Sequence, residues 1–335
     1  AIILAILWLI TPAIMQKISI IKNKKQPIEE LNTQEKEEIK QIAKKTWEFF
    51  KDNLNEENNY LITDNVQEDR IPQVVPRTSS TNIGLSLLAV ISAYDLNFID
   101  EENTIEYLNN IILSIESLPK WNGHLYNWYN TKTKEPLLPR YISTVDSGNF
   151  IGYLYTVKPF LEELDKKINK QQNIIDNEIE KQTKQKDTEK DLKNQIEENT
   201  QYTKLKQKQE KIQNCLRIIT NIIKTTDFTL LYCKDHELFS IGYNIEENKL
   251  TDSYYDLLAS EARQASFIAI AKKDVPVKHW NSLSRTLTVL GKYKGLISWS
   301  GTSFEYLMPN INMPKYEGSL LDESCKFMIL SQIKY

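Results

Sequence analysis

Three carboxylic acids sit in surroundings suited to chemistry: Glu261, Asp146 and Glu305. Glu261 lies in Tyr255-Asp256-Leu257-Leu258-Ala259-Ser260-Glu261-Ala262-Arg263, where the apolar spacing predicts a helix from about Ser253 to Lys272. Leu257–Leu258 and Phe267–Ile268 flank it, while Ala259, Ser260 and Ala262 leave room for a partner to approach. Arg263, two residues on, points off that helical face. A carboxylate among apolar side chains has a raised pKa, which suits a general acid. Asp146 precedes Ser147-Gly148-Asn149 and also fits a helix N-cap, and Glu305 stands among Trp299, Gly301 and Tyr306, a setting for holding a sugar hydroxyl. A surface glutamate or a buried ion pair is by far the commoner role for such a residue, and spacing alone does not rank the three.

The second chemical signal is aromatic. Trp121, Tyr126, Trp128, Tyr129 and Tyr141 are interleaved with Asn122, His124, Asn127, Asn130 and Arg140, and Trp299, Phe304 and Tyr306 form a second set. Flat rings stack on the C–H face of a pyranose while amides and hydroxyls bond its OH groups. Core packing accounts for any one of these rings; the clusters as a whole point to a sugar platform.

Helices must position these groups. Asn32 and Glu35 form a capping box for a helix over 33–51, with Ile39, Ile42, Ala43, Trp47 and Phe50 at helical spacing. Residues 58–80, with Pro72 and Pro76, read as a long ordered loop. Helices follow over about 80–94 and 100–118, then an aromatic loop from Gly123 to Ser143, then a helix from Asp146 or Ser147. Residues 165–213 are rich in Lys, Glu, Gln and Asn with sparse Ile and Leu, the pattern of a charged helical insertion, projecting or partly disordered. Phe228–Tyr232 and Leu238–Tyr243 read as short strands, Gly291–Gly301 as a Gly-punctuated segment, and helices are expected after His279, near Phe304 and over Ser319–Ile333. No GxGxxG and no Walker motif occurs. The expected fold class is mainly α, a toroid built from helical hairpins.

Ala1 to Met15 carry no charge, include Trp8, and are followed by Lys17, Lys22, Lys24 and Lys25. A span needs about 20 apolar residues, so residues 1–16 are expected to be the last part of a transmembrane helix, and 17–32 a basic and polar linker on the cytoplasmic side. The net charge of −3 with interspersed signs argues against nucleic acid as partner. The three cysteines are far apart and the three histidines are isolated, so no disulfide framework, metal or other cofactor is expected.

Six segments together resemble the cyclic β-1,2-glucan synthases. They are Arg77-Thr78-Ser79-Ser80-Thr81-Asn82-Ile83-Gly84, Leu125-Tyr126-Asn127-Trp128-Tyr129, Val145-Asp146-Ser147-Gly148-Asn149, Phe239-Ser240-Ile241-Gly242-Tyr243, Tyr255 to Arg263, and Ser298-Trp299-Ser300-Gly301 through Phe304-Glu305-Tyr306-Leu307-Met308-Pro309. The resemblance runs from about Leu7 to Tyr335 and is weakest over 165–213. It implies that 33–335 is a glucoamylase-like (α/α)6 domain, incomplete at its C-terminal end, in a chain that also carries a membrane-embedded glycosyltransferase and a phosphorylase-like domain. Such a domain is implied to be a retaining transglycosylase that cuts linear β-1,2-glucan and closes it into a ring at the inner membrane.

Glu261 matches the acidic position of the Ser-Glu-Ala motif, so the resemblance implies a catalytic role for it, as nucleophile or acid/base. Arg77, Asn82, Tyr126, Trp128, Tyr129, Arg140, Asp146, Trp299, Glu305 and Tyr306 are the substrate-binding candidates. The family's second essential acid is implied to lie past the point matching Tyr335, so the chain alone is expected to be inactive. A non-catalytic glucan-binding scaffold and a β-glucan hydrolase or phosphorylase are the competing functions.

Overall fold

The computed structural model describes residues 2–19, 30–71, 73–182, 189–291 and 293–335. It divides into two compact units, Ala1–Ala43 and Lys44–Tyr335. In the first unit, α1 spans Ile2–Ser19 and contains Pro12. Among the described residues no helix is long and apolar enough to cross a membrane. Most of the expected linker, residues 20–29, lies outside them. Helix α2, Thr33–Asn53, begins as the sequence predicts: Glu35 N–H donates to Asn32 Oδ1 at 3.0 Å and Asn32 N–H to Glu35 Oε2 at 2.8 Å. Its expected apolar face is only partly used, since Ile39 and Ile42 are exposed and Trp47 is the first buried ring.

The second unit is mainly helical. Helices α3 (Ser80–Asp95), α4 (Glu101–Ser117), α5 (Thr144–Gln182) and α6 (Glu189–Thr225) carry the main core, with α3 against α5, α4 against α6 and α5 against α6. Ser79 and Asp100 cap α3 and α4 by accepting from Asn82 and Asn103 N–H. The charged run at 165–213 is the distal half of the α5 and α6 pair. Its sparse apolar residues face inward, with Ile168, Ile175, Leu205 and Ile212 all buried. Ile179, Leu192 and Ile196 lie outside the residues whose side chains are described. The base of this arm is packed rather than projecting: Lys167 pairs with Glu101 at 2.6 Å, and Lys211 bonds Glu106 of α4.

Downstream, α7 (Arg263–Ala271) joins the main core through Ile268 and Ala269, while α8 (Lys278–Ser282), α9 (Ser303–Leu307) and α10 (Leu320–Lys334) surround a smaller second core. Leu258, Ala259, Leu283, Leu296, Tyr306, Cys325 and Met328 form it. The helix expected over Ser253–Lys272 is half as long. Tyr254–Tyr255 pair instead with Phe239–Ser240 as a strand, and Leu258 N–H donates to Ser284 O while Ser284 N–H donates to Asp256 O. These backbone bonds to distant segments satisfy the groups a helix would have satisfied, so the helix begins only at Arg263. Phe228–Leu231 is likewise a 3₁₀ turn rather than a strand, and Leu287–Leu290 with Tyr293–Leu296 forms a hairpin through Gly291 (φ 60°).

Helix α5 is the wall on which the site is built. Its start is held by the strand Tyr141–Ser143, paired to Gly242–Asn244, and by Thr144 Oγ1 donating to Ser240 O at 2.6 Å. Glycines bring its neighbours close: a Cβ on Gly84 of α3 would lie 2.4 Å from the Tyr153 ring, and one on Gly148 of α5 would lie 2.2 Å from Ala265 Cβ of α7. Gly148→Ala is therefore expected to cost about 1–3 kcal/mol of stability by overpacking, read as a lower midpoint in urea denaturation. An unchanged midpoint would show that α7 yields freely.

Candidate active site

Asp146 lies 115 residues before Glu261, and Glu305 lies 44 residues after it, yet the fold brings their charges together. Asp146 stands in the first turn of α5, Glu261 in the turn immediately before α7, and Glu305 on the first turn of α9. Glu261 is thus not mid-helix as expected. Arg263, the first residue of α7, is buried.

Each acid meets a different local environment. Asp146 accepts from Thr81 Oγ1 at 2.6 Å, and Asn149 Nδ2 donates in turn to Thr81 Oγ1 at 3.2 Å. With its amide nitrogen toward the carboxylate, Asn127 donates to Asp146 Oδ2 at 3.3 Å while its oxygen accepts from Trp128 Nε1 at 3.0 Å. Burial nevertheless raises the Asp146 pKa, against the lowering effect of the Ser143 and Thr81 hydrogen bonds. Glu305 is also buried, but Ser298 Oγ, Ser300 N–H and Ser300 Oγ donate to its Oε2 at 2.9, 3.0 and 2.8 Å. Burial works to raise its pKa, and these donors outweigh it, holding the carboxyl below its ordinary range.

Glu261 has no such cradle. Among the described residues no hydrogen bond or ion pair to its carboxylate is found. Burial first, then the negative charges of Asp146 and Glu305, push its pKa up to about 7. Two phenols share this field: the pKa values of Tyr153 and Tyr255 are raised by burial and then by Glu261 and Asp146. The arrangement is one ionised carboxylate (Glu305), one carboxyl that exchanges its proton near neutrality (Glu261) and a hydrogen-bonded acid between α3 and α5 (Asp146). Such divergent environments are the means by which a site obtains an acid and a base at one pH.

The remaining candidates divide. Arg77 pairs with Asp64 at 2.9 Å, Asn82 Nδ2 donates to the other oxygen of Asp64 at 2.9 Å, and the Arg77 guanidinium lies 4.5 Å over the Trp128 ring. Arg77, Asn82 and Trp128 are therefore one cluster, linked through Asn127 to Asp146. Tyr126 is nearly enclosed, edge-on to Tyr129. Tyr129 and Tyr306 are corrections to the sugar platform: both are buried in the core, with their hydroxyls donating to Pro119 O and Leu296 O, so neither offers a face to a ligand. Arg140 forms an exposed ion pair with Glu246 at 2.9 Å, and Trp299 is 57% exposed. Sequence reasoning missed Asp64, Thr81, Tyr153 and Tyr255. Tyr153 follows Asp146 at i+7, a helical repeat that puts both on one face of α5.

Comparison with known proteins adds a family context. A model for a family described as a protein of unknown function (DUF3131) matches residues 41–204. Cyclic β-(1,2)-glucan synthase NdvB of Rhizobium meliloti is 30% identical over 99% of this chain. The chain resembles the cyclic β-1,2-glucan synthases throughout. It spans only 14% of the length of NdvB. Among solved structures, a putative glucoamylase from Bacteroides uniformis superposes with a TM-score of 0.61 at 11% identity, over 90% of this chain and 65% of that one. The endo-β-1,2-glucanase of Chitinophaga pinensis, in complex with sophorotriose and glucose, gives 0.59 at 12% identity, over 88% and 65%. At these identities the likeness establishes a mainly helical, glucoamylase-like fold.

The raised Glu261 pKa has a consequence for stability. Below about pH 4.5 folded and unfolded chains both hold the proton, and Glu261 has no effect. Between that pH and about 7 the unfolded chain releases its proton first, so stability falls as pH rises, by on the order of 3 kcal/mol in full. Glu261→Gln, neutral at every pH, is expected to be more stable than the native chain at about pH 8 and equal to it at about pH 4. Thermal melts at the two pH values check this, and equal melting at the higher pH would mean that the fold does not raise the Glu261 pKa.

Proposed function

We propose that residues 33–335 form part of the glucan-processing domain of a cyclic β-1,2-glucan synthase, cleaving linear β-1,2-glucan and closing the released segment into a ring. The observation that carries the reading is the convergence on Glu261. An undonated carboxyl with a pKa near 7 sits beside two further acids, in a fold like a glucanase's and a chain like a cyclic glucan synthase. Glu261 is the catalytic carboxyl. In a retaining reaction one carboxyl attacks the anomeric carbon while another protonates the leaving oxygen, and a hydroxyl from the far end of the same glucan then displaces the enzyme. Water kept out of the cleft favours that sugar hydroxyl over hydrolysis.

Trp128, Arg77, Asn82 and Trp299 are proposed to hold the glucan. Asp146 and Glu305 bond its hydroxyls and maintain the field on Glu261. Residues 1–16 are proposed to anchor the chain at the inner membrane, with the domain on the cytoplasmic side. Glycosyltransferase and phosphorylase-like domains are its partners within the full-length protein.

Hydrolysis is the competing outcome, because the Chitinophaga pinensis neighbour is named as a glucanase. In the intact protein supplied with linear β-1,2-glucan, Glu261→Gln is expected to lower cyclic product by about 10²–10⁴-fold while leaving glucan binding in place. Mass spectrometry of the products separates rings from shortened chains. Undiminished ring formation by the variant would remove Glu261 from the mechanism, and linear products alone from the native protein would replace cyclisation by hydrolysis.

A further inference from the structure

Arg263 is a buried cation that the mechanism above does not use. It is 2% exposed, and among the described residues it forms no ion pair. An acid does line the same hollow, Asp322, but Lys315, Lys326 and the Gly318 N–H already occupy its carboxylate at 3.0, 2.9 and 2.9 Å. A guanidinium buried without a counter-ion is costly to keep. Its partners are four neutral oxygens. Nη1 donates to Ser260 O at 3.1 Å and Glu305 O at 3.3 Å, and Nη2 to Tyr306 O at 2.9 Å and Asn310 Oδ1 at 3.4 Å.

These acceptors are informative by position. Ser260 immediately precedes Glu261, while Glu305 and Tyr306 belong to α9. We propose that Arg263 is a positioning residue: its guanidinium ties the Glu261 turn to the backbone of the Glu305 helix, setting the approach of the two carboxyl groups and the dryness of the pocket between them. Only a planar fork with several divergent donors spans these acceptors at once, whereas a lysine ammonium is a single point. The groups facing Glu261 are Asp146 and Tyr153 from α5, Tyr255 from the preceding strand and Glu305 from α9. Cys325 of α10 is the titratable group that acts on Arg263.

A tie and a charge make opposite predictions. If Arg263 acts by its charge, removing it raises the Glu261 pKa; if it acts as a tie, removing it lets Glu305 and water move and lowers that pKa. The catalytic meaning of the tie rests on the glucan-processing reading, but the tie itself does not, so the test needs no substrate. With glutamate carboxyl carbons labelled with ¹³C, the Glu261 resonance is assigned by its loss in Glu261→Gln and titrated by NMR. In Arg263→Met the midpoint is expected to fall by about one pH unit from the native value. Arg263→Lys, which keeps the charge, and Asn310→Ala, which removes one acceptor from a half-buried site, are expected to shift it the same way by less; they carry the test if Arg263→Met does not fold. A rise in the midpoint, or an unchanged midpoint with a lowered melting temperature, overturns the proposal. Absence of glucan turnover by the native protein would count against the proposed function and leave the titration result standing.

Discussion

The arrangement of this chain turns on one electrostatic constraint: Asp146 and Glu305 both act on a largely buried Glu261, and among the described residues no cation pairs with it. Charges of like sign in low dielectric cannot all be ionised unless something else stabilises them. The fold answers by unequal distribution of donors. Glu305 receives hydroxyl and amide donors from the Ser298–Thr302 loop and stays ionised. Asp146 receives Thr81 and Asn127. Among the described residues Glu261 receives none, and so becomes the group that holds a proton near neutral pH.

That distribution depends on how the elements around α5 are assembled. Its first turn carries Asp146, its glycines admit α7 to close range, and α7 begins just after Glu261. Short strand pairings at Tyr141–Ser143 and Tyr254–Tyr255 fix both approaches to the pocket through backbone bonds. The second core, built on Leu258, Leu296 and Tyr306, packs the segment before Glu261 against α9. Rigid support of this kind is what an acid needs if its proton is to be exchanged in a fixed geometry.

The aromatic loops show where composition is a poor guide to role. Tyr126, Trp128 and Tyr129 are near neighbours in the sequence, yet Tyr129 is a core residue with its hydroxyl spent on Pro119, while Trp128 sits under Arg77 and links through Asn127 to Asp146. An aromatic ring has the same sequence signature in a core and in a cleft, because both reward flat apolar area. Exposure separates them, and exposure is decided by the turns between the rings.

Local signals were legible along the chain. The Asn32–Glu35 box and the helices over 80–95 and 101–117 follow from capping and 3.6-residue periodicity, which need no distant partner. The three candidate acids were legible too, as residue types in suitable neighbourhoods. The helix over Ser253–Lys272 was misread because Asp256, Leu258 and Ser284 satisfy one another's backbone groups across a long loop, and no local pattern records that. The same reason covers the site. Donors to Asp146 and Glu305, the absence of donors to Glu261, and the bonds from Arg263 to Ser260 and α9 are relations between segments far apart in the sequence. The sequence by itself determined which acids were present and which helices formed around them. Only the tertiary structure decided which acid keeps its proton, because that depends on the field and solvation at one point in space.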